Sequence, residues 1–160
     1  LADMPQLLAT FTAMRAAEGA ELAAIITAQI DRVADLTAAA RSAAEARRPL
    51  MEAALRENLA RVLAGAPEAD PARVAQELAM LTVKADVTEE LDRLTAHITA
   101  ARTLLAEGGP IGRKFDFLMQ EFMREANTLC SKSGNPDLTR IGLDLKTVID
   151  QMREQVQNVE

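Results

Sequence analysis

The sequence has no tryptophan, no tyrosine, four phenylalanines, one histidine and one cysteine among its 160 residues. A lone Cys130 excludes an intrachain disulfide and fits a reducing, cytoplasmic setting. One histidine and one cysteine far apart also make a poor tetrahedral zinc set. No stretch reaches about 18 consecutive apolar residues, so no transmembrane helix and no membrane partner are expected. No run of valine, isoleucine and threonine alternates with period two, which leaves no candidate strand. A phosphate-cradling glycine loop and a nucleophile elbow are missing too: "GGP" lacks the lysine and the flanking strand. The net charge of −6 argues against a uniformly basic nucleic-acid binder, yet leaves room for a local basic groove.

What is present is helix-forming. Alanine, leucine, methionine, glutamate and arginine dominate, and these lose little rotamer freedom on a helix. The expected fold class is all-α: an antiparallel long-helix hairpin followed by a bundle of about three to four helices. Residues 1–70 form the Ala-rich hairpin. A helix over 5–15 breaks or bends at Gly19, and a heptad-like stripe follows through Leu22, Ile26, Val33, Leu36, Ala40 and Ala43. Pro49 marks a kink or short turn before Leu55, Leu59, Val62 and Leu63, and "AGAPEADP" is the clearest loop.

Residues 71–160 form the C-terminal helical unit. Asp70 and Asn135 read as N-caps, each followed by proline at the first helical position. Asp86 stands three residues before Glu89, a capping-box spacing. "GGP" stops that helix near Glu107, and another spans about Gly112 to Leu129. The last helix carries Leu138, Ile141, Leu145, Val148, Met152 and Val156. Ala126 is the only alanine after residue 106, so chemical variety concentrates in this last third. The chain starts at Leu1 and opens directly into an amphipathic pattern, which suggests a further domain upstream.

At 100° per residue, the helix from Gly112 places Phe115, Leu118, Met119, Phe122, Met123, Ala126, Leu129 and Cys130 on one arc of about 140°. Arg113, Lys114, Asp116, Gln120, Glu121, Arg124, Glu125, Asn127 and Thr128 share the other. Phe117 points into this polar arc, where a neighbouring subunit, a further domain or a stacked nucleobase would cover it. The charges form either a solvated face stitched by i,i+4 pairs or a site. In the second case Glu121 and Glu125, with Asp116 or Gln120 nearby, hold one hard cation. Arg113, Lys114, Arg124 and Lys132 then grip phosphates. Glu90, Arg93 and His97 line one edge of the preceding helix, and His97 is either a satisfied histidine bonded to Glu90 or a backbone carbonyl, or a tuned group within reach of a ligand.

The stretches "QELAMLTVKADVTEELDRLTAH", "GRKFDFLMQEFMREANTLCSKS" and "MREQVQNVE" resemble the C-terminal region of the YicC/YloC family of bacterial endoribonucleases. The likeness spans the chain and is strongest from Gln76 onward. The resemblance implies an upstream α+β domain, a homo-oligomer expected as a hexamer enclosing RNA, a divalent-metal requirement (Mn or Mg) and a cytoplasmic location. The family motif falls on Glu77, Lys84, Asp86, Glu90, Arg93 and His97, then on Gly112, Arg113, Asp116, Glu121, Arg124, Glu125, Asn127 and Lys132. Two positions depart from its common pattern: Met123 stands in place of asparagine, and Cys130 in place of glycine or alanine.

Catalysis is then expected from Glu90, His97, Glu121 and Glu125, metal binding from Asp116, Glu121 and Glu125, and RNA contacts from Arg93, Arg113, Lys114, Arg124, Asn127 and Lys132. Two mechanisms compete. In one, a metal held by the carboxylates assists hydrolysis. In the other, the RNA 2′-hydroxyl attacks, with His97 as general base oriented by Glu90. A third reading makes the chain a helical assembly or RNA-holding module whose catalytic groups lie in the other domain.

Overall fold

The computed structural model describes residues 3–65 and 70–157, and every described element is helical. The helices are α1 (Met4–Gly65), α2 (Pro71–Lys84), α3 (Thr88–Glu107), α4 (Gly112–Lys132) and α5 (Pro136–Val156). Helices α1, α3, α4 and α5 close a four-membered ring, each packing on the next, while α2 packs on α1.

One expectation is overturned here. Residues 4–65 are a single 62-residue helix, not a hairpin, and neither Gly19 nor Pro49 interrupts it. Gly19 costs a helix only about 1 kcal/mol relative to alanine, and strong helix formers surround it. Proline costs about 3 kcal/mol inside a helix. Pro49 and Glu45, whose carbonyl loses its donor, are both exposed, which leaves that carbonyl open to solvent and lowers the cost of the missing bond. Arg47, two residues before the proline, is anchored in the core and holds this part of the helix in place. Residues 66–69 of the expected "AGAPEADP" loop lie outside the described residues, and α2 begins at Pro71.

The boundary expected near residue 70 does not divide the core. Ile26, Ile30, Val33, Leu36 and Ala40 of α1 join the same buried cluster as Leu91 and Leu94 of α3, Phe115 and Phe122 of α4, and Leu138 and Leu145 of α5. Their steps on α1 are of three or four residues, the seam that lets long helices interlock knob into hole.

Local signals place the ends of α2 and α5 as expected. The Asp70 carboxylate accepts from Ala72 N at 3.0 Å. The Asn135 side chain accepts from Asp137 N at 2.8 Å and Leu138 N at 3.2 Å. At "GGP", Gly108 and Gly109 take φ of 67° and 77°, a left-handed turn that side-chain-bearing residues resist. The capping box does not form. Asp86 accepts from the backbone N and hydroxyl of Thr88, at 2.9 and 2.7 Å, whereas Glu89 turns to Arg93 instead of back toward the cap.

Candidate active site

Helices α3 and α4 run antiparallel, and their register aligns polar side chains along one seam. At one end Lys132 Nζ meets the buried Glu90 carboxylate at 2.7 Å. Next, Arg93 lies 3.3 Å from Glu125 and is also paired with Glu89. Its hydrogen bond to Glu125, with the charges of both carboxylates, holds the Arg93 guanidinium above the usual arginine pKa. One turn further, His97 meets the Phe122 ring edge-on, with centroids 5.6 Å apart and planes at 68°.

Here the seam gathers three potential ligands. One atom each from His97, Glu121 and Glu125 lie within 4.8 Å of one another. Glu125 is 2% exposed although the helical wheel assigned it to the polar arc, because the flank of α3 covers it. His97 Nε2 is buried without a hydrogen-bond partner, and buried nitrogens in folded proteins seldom go unmatched. Glu121 is half-buried and lies 3.7 Å from Arg124. Two carboxylates and an imidazole whose buried Nε2 is unmatched suit a divalent cation. The nitrogen donor favours Mn²⁺ over Mg²⁺, which prefers an all-oxygen octahedron.

Several expected roles change. Asp116 is not part of the cluster; it accepts from Gln120 Nε2 at 3.0 Å on the preceding turns of α4, and His97 takes its place beside Glu121 and Glu125. Glu90 does not orient His97: it is engaged with Lys132, seven residues back along α3. Lys132 and Arg93, expected at RNA, both pair with carboxylates of the fold and brace the seam. Arg113, Lys114, Arg124 and Asn127 are exposed, with Arg124 beside Glu121.

The sequence reading missed Arg47. This α1 residue is 6% exposed and donates to the carbonyls of Lys132 at 3.2 Å, of Ala85 at 2.6 Å and of Ser133. It thereby ties the end of α4 to the α2–α3 turn. Burial pushes its pKa down, while the nearby Asp86 carboxylate opposes that shift. A signal was there: Arg47 continues the stripe of Val33 and Ala40 by one heptad. Cys130 has a local explanation as well. Its Sγ lies against Gly142 of α5, where an added Cβ would stand only 2.5 Å away. Burial raises the Cys130 thiol pKa.

Fold and site together define an all-helical bundle protein with a carboxylate–imidazole cluster on the seam between two antiparallel helices. The model of the family described as "Endoribonuclease YicC-like, C-terminal" matches residues 40–160, and the chain belongs to that family. A Haemophilus influenzae protein named "Probable endoribonuclease YicC" is 44% identical over 164 aligned residues, covering 100% of this chain and 55% of that protein. A Clostridioides difficile protein of the same name is 41% identical over 91 residues, 57% of this chain and 31% of that protein. The chain thus spans about half the length of the first of these relatives.

Proposed function

We propose that the chain is the helical part of a metal-dependent endoribonuclease, with His97, Glu121 and Glu125 holding the divalent ion. The observation that carries this reading is the convergence of three ligand atoms from two helices within 4.8 Å, one of them on a histidine whose buried Nε2 has no other partner. The names of the relatives supply the substrate class, RNA. When bound, a divalent ion offers charge stabilisation at a phosphate and lowers the pKa of a water.

The chain's own groups do the positioning. Arg93 fixes the Glu125 carboxylate, and Phe122 fixes the plane of the His97 ring. Arg113 and Arg124 stand exposed on α4 to meet the RNA backbone. The reading includes a homo-oligomer, expected as a hexamer from the family resemblance, working in the cytoplasm. Leu7, Leu8, Phe11 and Met14 are exposed on the first turns of α1 and offer apolar surface for such assembly. Among the described residues no helix is long and apolar enough to cross a membrane.

The test is cleavage of an end-labelled structured RNA by the full-length protein in Mn²⁺ and in EDTA. Cutting in Mn²⁺ alone, leaving 5′-phosphate and 3′-hydroxyl ends, supports the reading. Cutting that survives EDTA and leaves 2′,3′-cyclic phosphate would instead make His97 a general base. No cutting by an intact oligomer would leave a scaffold or RNA-holding module.

A further inference from the structure

The α3–α4 seam continues past the cluster. On the next turns Thr99, Ala100, Thr103 and Leu104 of α3, with Lys114, Phe117 and Leu118 of α4, line a shallow, largely apolar depression of about 520 Å³. Phe117 is 64% exposed there, whereas Phe115 and Phe122 on the same helix are at 1% and 0%. It precedes Glu121 by four residues, which puts it about 6 Å along the axis from the cluster at 1.5 Å per residue.

The floor of the depression has a particular chemistry. Alanine and threonine leave room beside the ring, and Leu104 and Leu118 add apolar surface against which a planar group can lie. The Thr99 and Thr103 hydroxyls donate to the carbonyls of Thr95 and Thr99, at 3.1 and 3.0 Å, which leaves their oxygens as acceptors. Lys114 and Arg113 are exposed one turn before Phe117. An exposed ring beside an apolar depression, with Lys114 in its lining and Arg113 next to it on the helix, suits a base and its phosphate.

We infer that Phe117 stacks on one unpaired base of the RNA, one turn from the His97–Glu121–Glu125 cluster, with Lys114 on the adjoining phosphate. The site then selects single-stranded RNA at that position. This subsite rests on the reading of the cluster as a ribonuclease centre.

The experiment uses the full-length protein and an RNA oligonucleotide in which one abasic nucleotide is moved stepwise along the chain, with Mn²⁺ present. Phe117→Ala lowers kcat/KM about 5- to 150-fold on the intact RNA, the range for loss of one base–aromatic stack, and Phe117→Trp restores it. At a single position the abasic nucleotide costs the wild type the same factor and costs Phe117→Ala nothing further. Additive losses at every position overturn the subsite while leaving the catalytic reading intact. A Phe117→Ala protein that sediments as smaller assemblies, with no position penalised in the wild type, makes Phe117 an interface residue and also overturns it. A wild type that cuts nothing in Mn²⁺ overturns the catalytic reading, and the subsite falls with it.

Discussion

Replacing Arg47 with methionine isolates the bond between the long helix and the end of the site-bearing helix. Methionine keeps much of the apolar stem, so the loss is confined to the charge and its hydrogen bonds. The guanidinium donates to the carbonyls of Lys132 (3.2 Å), Ala85 (2.6 Å) and Ser133. Ala85 and Ser133 are the C-caps of α2 and α4, so the cation sits at two negative helix ends. A hydrogen bond from a charged donor contributes about 1.5–3 kcal/mol, and a buried acceptor stripped of its donor costs about 1–3 kcal/mol. Water recovers part of this at helix ends, so the three bonds together come to about 3–5 kcal/mol, the range for removing one partner of a buried pair. At about 2–4 °C per kcal/mol for a domain of this size, the melting temperature falls by about 6–20 °C. Thermal and urea unfolding followed by circular dichroism, at fixed protein concentration, measures it. Arg47→Lys recovers only part, since one ammonium does not span three carbonyls. A loss below about 1 kcal/mol for Arg47→Met would refute the clamp.

Gly142→Ala drives a methyl into Cys130 Sγ, an overpacking cost of about 1–3 kcal/mol. Adding Cys130→Ala relieves it, and additive urea-unfolding energies in the double-mutant cycle would contradict the contact. Asp86→Ala removes the bonds from Thr88 and costs about 0.5–1 kcal/mol at this exposed position. Those bonds hold the folded Asp86 pKa below its ordinary value. Its contribution is therefore present above the unfolded value of about 3.9 and is lost as pH falls through the lower folded one. A gap between wild type and Asp86→Ala that widens in acid would show the sign is wrong. Lys132→Met leaves the Glu90 carboxylate, 5% exposed, without its partner and costs about 2–4 kcal/mol. Exposed Arg113→Met stays within about 0.5 kcal/mol and flattens the salt dependence of RNA binding. A stable Lys132→Met protein that only binds RNA less tightly would restore Lys132 as a phosphate contact.

What was legible in the sequence is what is decided locally. Asp70 and Asn135 cap their helices because each carboxylate or amide reaches an amide hydrogen two or three residues away. The apolar arc of α4 is buried at Phe115, Leu118, Met119, Phe122, Ala126 and Leu129 as the wheel requires. The failures are non-local. Gly19 and Pro49 read as breaks because their penalties are intrinsic; Gly19 is carried by the strong helix formers around it, while the anchoring near Pro49, through Arg47, comes from residues up to about 86 positions away. Glu121 and Glu125 were recognisable as a pair at i,i+4, but their third partner depends on the register of α3 against α4. That register sets His97 beside them, Arg93 on Glu125 and Lys132 on Glu90. No spacing within either helix reveals it. Burial of Glu125 has the same origin, since a position at the edge of an arc is wet or dry according to the neighbouring helix.

Isothermal titration of Mn²⁺ into the full-length wild type, Glu125→Gln and Arg93→Gln tests the cation site without relying on activity. The expected result is one ion per chain in the wild type, no measurable binding in Glu125→Gln, and affinity weakened about 10- to 100-fold in Arg93→Gln, which leaves the ligands but removes their support. Wild-type affinity retained in Glu125→Gln, with the fold intact, would contradict the site.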